Sequence, residues 1–218
     1  MKPKLLDLFC GAGGASMGLY RAGFDVTGVD IKPQPRYPFE FHQADALTYP
    51  LDGYDAYWAS PPCQEYSRTK SLKTSIFPTL IEPVRIKLIA TGKPFVIENV
   101  PGAPLINPLI LCGSMFGLRV RRHRIFEINP PVYFPPFSCN HWGKCTGAGR
   151  NRVKAGVKGR TLSLNDGFAF LTVAGNDYLV NEGKKAMGID WMIRSELSQA
   201  IPPAYAEYLG NQLIRAIQ

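Results

Sequence analysis

The chain has 218 residues, 45% hydrophobic and 19% charged, the composition of one globular domain with a real core. No apolar run approaches the roughly 20 residues needed to span a bilayer, and an acid stands as early as Asp7, so no membrane association and a cytoplasmic location are expected. The net charge of +8 is uneven: between Arg119 and Arg160 stand ten Lys or Arg against one acid, Glu127, while the remainder holds 15 bases and 16 acids. A neutral body with one basic segment fits a polyanionic partner, nucleic acid above all.

The apolar run KLLDLF (4–9) reads as a strand ending in a Gly-rich turn, FCGAGG, and GGASMGLYRAG continues it as a helix closed by Gly23. FDVTGVD (24–30) reads as a second strand ending in an acid. Glycines 11, 13 and 14 let backbone approach a ligand and present helix N-terminal amides, and Asp30 stands where a strand-end acid accepts hydrogen bonds from ribose hydroxyls. The turn lacks a Walker lysine and the full Gly-x-Gly-x-x-Gly spacing, so a cofactor with a nucleoside and no phosphate fits best.

YDAYWAS (54–60) and PFVIENV (94–100) are further strands, with TLIEPVRIKLIATG as the helix between them despite Pro83. The first runs into SPPCQ. Taken alone, Cys63 is a small residue in a stiff turn and Glu98 in ENV is a structural acid. On the carboxyl edge of one parallel sheet, where ligands of open α/β folds bind, the pair could attack a ring and handle its proton. RRHRIFEI (121–128) reads as another strand, whose alternation puts Arg122 and Arg124 on one face. Strands alternating with helices predict an α/β fold with a mainly parallel sheet.

Beyond Pro130 the texture turns to Pro, Gly and basic residues, predicting an irregular insert with a mobile loop near 143–160. CNHWGKC carries Cys139, His141 and Cys145, at a spacing unlike a common finger and without an evident fourth ligand. No metal is expected there; a DNA-facing loop presenting Trp142 is. Helical patterns return at NEGKKAMGI and, after Pro202 and Pro203, at AYAEYLGNQLIRAI. The five cysteines are odd in number and scattered, which argues for reduced thiols.

Taken in order, DLFCGAGG, SPPCQ, ENV and RRHRIF resemble the motifs of the DNA cytosine-5 methyltransferases, over residues 4–128 with a weaker match from 181 onward. The resemblance implies a Rossmann-like fold with catalytic residues 1–128, a small target-recognition region at 129–180 and C-terminal helices at 181–218 completing the catalytic domain. It implies S-adenosylmethionine as methyl donor, with Phe9 and Ile31 against the adenine, Gly11 and Gly13 beside the methionine moiety and Asp30 on the ribose. Asp45 would bind the adenine amino group, and Pro62 would also line the cofactor site. Cys63 would add to cytosine C6, Glu98 would engage N3 and Arg124 would hold O2, with Arg122 supporting the site or a phosphate. Gln64 and Ser67 would lie near the flipped nucleotide, in a loop, QEYSRTKSLKTS, closing over DNA. Two departures stand out: Val120 replaces the Gln expected two residues before the first of the paired arginines, and Gln199, in SQAIPP, stands where an Asn contacts the cofactor. The expected activity is DNA cytosine-5 methylation by a monomer, in a phage-like enzyme of restriction-modification; the alternatives are RNA cytosine-5 methylation or a catalytically impaired DNA-binding protein.

Overall fold

The computed structural model describes residues 1–63, 79–131, 138–146, 163–175 and 178–218. Its centre is a sheet of seven strands among these residues: β1 (Lys4–Leu8), β2 (Asp25–Asp30), β3 (Glu40–Gln43), β4 (Ala56–Ala59), β5 (Phe95–Asn99), β6 (Leu109–Leu111) and β7 (Arg124–Asn129). They lie in the order β3-β2-β1-β4-β5-β7-β6. The first five are mutually parallel, and β7 runs antiparallel to both β5 and β6. Strands β1, β4 and β5 are almost wholly buried, which suits their largely apolar sequences in a sheet covered on both faces; the buried polar exceptions, Asp7, Glu98 and Asn99, lie toward the carboxyl ends of β1 and β5.

One face carries α1 (Gly14–Ala22) and α5 (Pro203–Ile217). Leu5, Trp58, Val96 and Phe126 pack there against Leu19, Tyr205 and Leu209, all fully buried. Each buried Leu or Phe of this layer contributes about 1.5–3 kcal/mol relative to exposure. The helices meet closely because Gly18 has no side chain: a Cβ there would lie 2.1 Å from the Pro203 carbonyl oxygen. On the other face, α2 (Ile81–Ala90) sets Val84 and Leu88 against Leu6, Leu8, Tyr57, Phe95 and Ile97. Pro83 is tolerated because it sits in the first turn of α2, where backbone amides have no helical acceptor.

A third cluster joins the C-terminal elements to the sheet. Val120, Leu171, Val173 and Tyr178 pack with α3 (Val180–Met187), α4 (Arg194–Leu197) and Ala12 of the Gly-rich turn. The strand expected over 121–128 begins only at Arg124, so Arg122 precedes the ladder and does not share a strand face with Arg124. The short strands β3 and β6 had no legible period in the sequence. Between Pro130 and Val180 the described residues form a 3-10 turn, Leu164–Asp166, and isolated bridges such as Cys145 with Phe170. Among the described residues, no helix is long and apolar enough to cross a membrane.

Candidate active site

The parallel strands β1, β2, β4 and β5 all end at one edge of the sheet, and antiparallel β7 begins there. Residues that close four strands therefore meet one that opens a fifth.

The turn after β1 holds three residues in left-handed backbone, Phe9 at φ 59°, Gly11 at φ 51° and Gly13 at φ 82°. The strain at Phe9 is held by its neighbours, since Cys10 N–H donates to the Val29 carbonyl at 3.1 Å. A Cβ on Gly11 would project into open space, whereas one on Gly13 would press on Tyr37 and Pro38. Asp30, closing β2, ties the turn down: its carboxylate accepts the Gly11 amide at 3.0 Å and the Lys32 amide at 3.0 Å. Each oxygen retains a second lone pair for a hydroxyl. Ile31 stands 66% exposed beside it, an open apolar flank. Asp45 is exposed and its Oδ1 accepts the Leu47 amide at 2.9 Å, so half of that carboxylate shapes its own turn.

Beneath the turn, Asp7 is fully buried and accepts a hydrogen bond from the Ser16 hydroxyl, which in turn accepts one from Tyr37 at 2.9 Å. Its Oδ1 has no partner among the described residues. Burial pushes the Asp7 pKa up to about 7 despite the Ser16 hydrogen bond, and Asp30 and Glu98 add to the rise. The C-terminal region closes over the same turn. Trp191 Nε1 donates to the Ala12 carbonyl at 2.8 Å, and Gly14 lies against Ala200 and Ile201. Gln199, one residue before, is exposed.

After β4 the chain enters Ser60-Pro61-Pro62-Cys63. Asn99, the last residue of β5 and fully buried, donates from Nδ2 to the Pro61 carbonyl at 3.0 Å, and its Oδ1 accepts the Val100 amide at 2.9 Å. Asn99 thus pins the proline turn to the neighbouring strand, a role the sequence reading missed because it weighed ENV only for its acid. Cys63 is half-exposed. Cys10, also at this edge, is buried, and burial with the nearby Asp7 and Asp30 drives its thiol far up in pKa, so it stays protonated. Gln64 and Ser67, with the whole segment QEYSRTKSLKTS, lie outside the described residues.

Glu98 is buried and pairs with Arg124, whose Nε lies 3.0 Å from Glu98 Oε1. Burial raises the Glu98 pKa; the charges of Arg124 and Arg122 and a hydrogen bond from Ser60 pull it back. Ser60 also accepts the Trp58 indole N–H at 3.0 Å, which orients its hydroxyl. Arg122 is used differently. Its guanidinium is buried and donates to the Val173 carbonyl at 2.7 Å and the Ser198 carbonyl at 2.9 Å, bracketing the C-terminal region onto the sheet. Its own carbonyl accepts the Tyr205 hydroxyl at 2.6 Å. Burial, with Arg124 adding to the effect, lowers its pKa to about 9, while Glu98 and Cys63 lie near enough to favour its charge. The structure therefore brings Cys63, Glu98, Arg124 and the Gly-rich turn to one edge, and makes Arg122 a support behind them.

The same fold recurs in solved structures. A protein described as a prophage-encoded DNA modification methyltransferase from E. coli superposes with a TM-score of 0.62 at 16% identity, covering 98% of this chain and 99% of that one. The Entamoeba histolytica methyltransferase EhMeth gives 0.62 at 14%, covering 100% and 99%, and the S. pombe Dnmt2 methyltransferase 0.60 at 13%, covering 100% of both. The chain has a methyltransferase fold. Its α/β architecture with a mainly parallel sheet is the one expected from the alternation of strands and helices, and its Rossmann-like form is the one the motif resemblance implied. No family model matches the chain, and no curated protein sequence does.

Proposed function

We propose that this protein is an S-adenosylmethionine-dependent DNA cytosine-5 methyltransferase in which Cys63 is the nucleophile. The observation that carries the reading is the convergence at one sheet edge of a half-exposed thiol on a pinned proline turn with a buried carboxylate–arginine pair. Beside them lies a Gly-rich turn tied to a strand-end acid. The order of DLFCGAGG, SPPCQ, ENV and RRHRIF and the methyltransferase fold point the same way. So does the basic stretch from Arg119 to Arg160, which suits a polyanionic substrate.

The residues around Asp30 fit the donor: a carboxylate with lone pairs to spare, open space over Gly11 and an exposed apolar flank at Ile31. S-adenosylmethionine supplies an electrophilic methyl group on sulfur. Asp30 would accept the ribose hydroxyls, Phe9 and Ile31 would flank the adenine, and Gly11 and Gly13 would leave room for the methionine portion. Asp45, Pro62 and Gln199 complete the assignment at the rim of this site.

Cytosine C5 is a weak nucleophile until C6 is attacked. Cys63 sulfur forms a bond to C6, and the electron pair displaced from the C5–C6 bond is drawn toward N3. Glu98 answers it by hydrogen-bonding or protonating N3; burial raises its pKa from the ordinary carboxylate value, against the pull of Arg124, Arg122 and Ser60. Arg124, already held by Glu98, is placed to hold the cytosine O2. Once the displaced pair has bonded C5 to the methyl group, loss of the C5 proton to a base lets the C–H pair re-form the C5–C6 double bond and expel the Cys63 thiolate, and N3 returns to Glu98 any proton it took. The ring is reached only after the base leaves the duplex stack, at a cost of about a few kcal/mol.

Incubation of the protein with labelled S-adenosylmethionine and either duplex DNA or RNA tests the reading. Label is expected on DNA, at C5 of cytosine in the digested product, and is expected to vanish in Cys63→Ala. Label on RNA alone overturns the substrate, and label surviving in Cys63→Ala overturns the covalent route.

A further inference from the structure

Four residues that play no part in the proposed chemistry come together beside it. Cys112 follows β6, His123 precedes β7, and Cys139 and His141 lie in the irregular segment downstream. Their ligating atoms all fall within 4.8 Å of one another. Cys112 Sγ is 3.3 Å from His141 Nε2, and Cys139 Sγ is 3.4 Å from His123 Nε2. The two imidazoles stand edge to face at 5.0 Å between centroids.

We propose that Cys112, His123, Cys139 and His141 form a structural site for a zinc-class divalent cation, clamping the segment after β7 onto the sheet next to Arg124. Two thiolates and two imidazoles are the ligand set of a closed tetrahedral zinc site, and the set contains no carboxylate of the kind that calcium or magnesium would need. Two of the sulfur–nitrogen distances, 3.3 and 3.4 Å, agree with that geometry. Bonds of about 2.3 Å to sulfur and about 2.0–2.1 Å to nitrogen place neighbouring S and N ligands roughly 3.5 Å apart on a tetrahedron. One edge is tighter, Cys139 Sγ to His141 Nε2 at 2.6 Å, and the exposed Cys139 side chain has room to swing outward.

The fold explains the meeting. The β6–β7 ladder ends at the pair Leu111–Arg124, so Cys112 and His123 are the next residues across from each other. The downstream limb is drawn in by Ser114, whose Oγ accepts the Asn140 amide at 3.2 Å and lies 3.5 Å from Cys139 Sγ. Cys145, grouped by sequence with Cys139 and His141, is not part of the cluster. Its thiol lies 3.4 Å from Thr172 Oγ1, in the bridge to Phe170. All four positions of the cation are taken by protein, so it has a holding role and no open position for substrate. Its effect on function runs through His123, whose neighbour Arg124 pairs with Glu98.

The test does not depend on methyl transfer. The full chain, prepared without a histidine tag or chelator, is assayed for zinc by mass spectrometry and, after exchange, for the visible ligand-field and thiolate charge-transfer bands of tetrahedral cobalt. Stoichiometric zinc and both band sets are expected. Cys139→Ser and His141→Gln, changes at less buried positions, are expected to lose them, and Cys145→Ser to keep them. Absence of zinc and of cobalt bands from the parent overturns the proposal, as does undiminished zinc in Cys139→Ser. A Cys112–Cys139 disulfide in the freshly isolated parent overturns it as well.

Discussion

Arg124, the first residue of β7, holds Glu98, the penultimate residue of β5, with Nε 3.0 Å from Oε1. The contact exists because the two strands run in opposite directions: Glu98 pairs across the ladder with Phe126, and Arg124 lies one diagonal step away on the same face. A charge pair this deep is stable only while both partners are present. Arg124→Ala is expected to leave the buried carboxylate uncompensated and to cost about 3–5 kcal/mol, read from urea denaturation. Glu98→Gln removes the proton donor and keeps the shape; methyl transfer is expected to fall by about 10²- to 10⁴-fold with donor affinity unchanged.

Asn99 offers a separate test of positioning. Asn99→Ala frees the Pro61 carbonyl and, with it, the mount of Cys63. Turnover is expected to drop by about 10²-fold, as misplacement of a nucleophile by an ångström does, while calorimetry finds the donor bound as before. Equal losses in turnover and donor affinity would mean that the site as a whole has collapsed.

The covalent step leaves a trace that can be isolated. A duplex carrying 5-fluorocytosine at the target presents no C5 proton to lose, so the Cys63 adduct should persist as a complex that survives denaturing electrophoresis. Cys63→Ser is expected to give none.

Asp7 makes stability depend on pH in the direction opposite to most carboxylates. Its pKa is about 7 in the folded chain against 3.8 for a free side chain. Between those values the folded state keeps a proton that the unfolded state has lost, so stability is full below about pH 4 and declines as pH rises to about 7. The loss is on the order of a few kcal/mol, at about 1.4 kcal/mol per pKa unit. Asp7→Asn is expected to flatten this limb of a melting-temperature profile and to be more stable than the parent at pH 8. The raised Glu98 acts in the same direction, so the difference between the two profiles isolates Asp7.

Gly18 decides how closely α1 and α5 pack. Gly18→Ala would place a methyl group 2.1 Å from the Pro203 carbonyl oxygen and 2.7 Å from the Glu207 amide nitrogen, backbone atoms that cannot rotate away. A loss of about 1–3 kcal/mol or more is expected in chemical denaturation.

What the sequence determined by itself is local. Short runs rich in apolar residues, set off by Gly, Pro or a strand-end acid, marked β1, β2, β4 and β5, because strands buried on both faces are predominantly apolar. The glycines of FCGAGG, the prolines before Cys63 and the acids Asp30 and Glu98 were legible because turn chemistry and strand ends are written within a few residues. What only the tertiary structure decided is long-range. The direction of β7 depends on which edge the sheet leaves open, and it separates Arg124, at the site, from Arg122, which faces the Val173 and Ser198 carbonyls. Asn99 acquires its role from a turn 38 residues away. Cys112 and His123 join Cys139 and His141 only because an antiparallel ladder sets β6 beside β7. No sequence spacing encodes such meetings, since they arise when chain entropy is spent to bring distant segments onto one sheet.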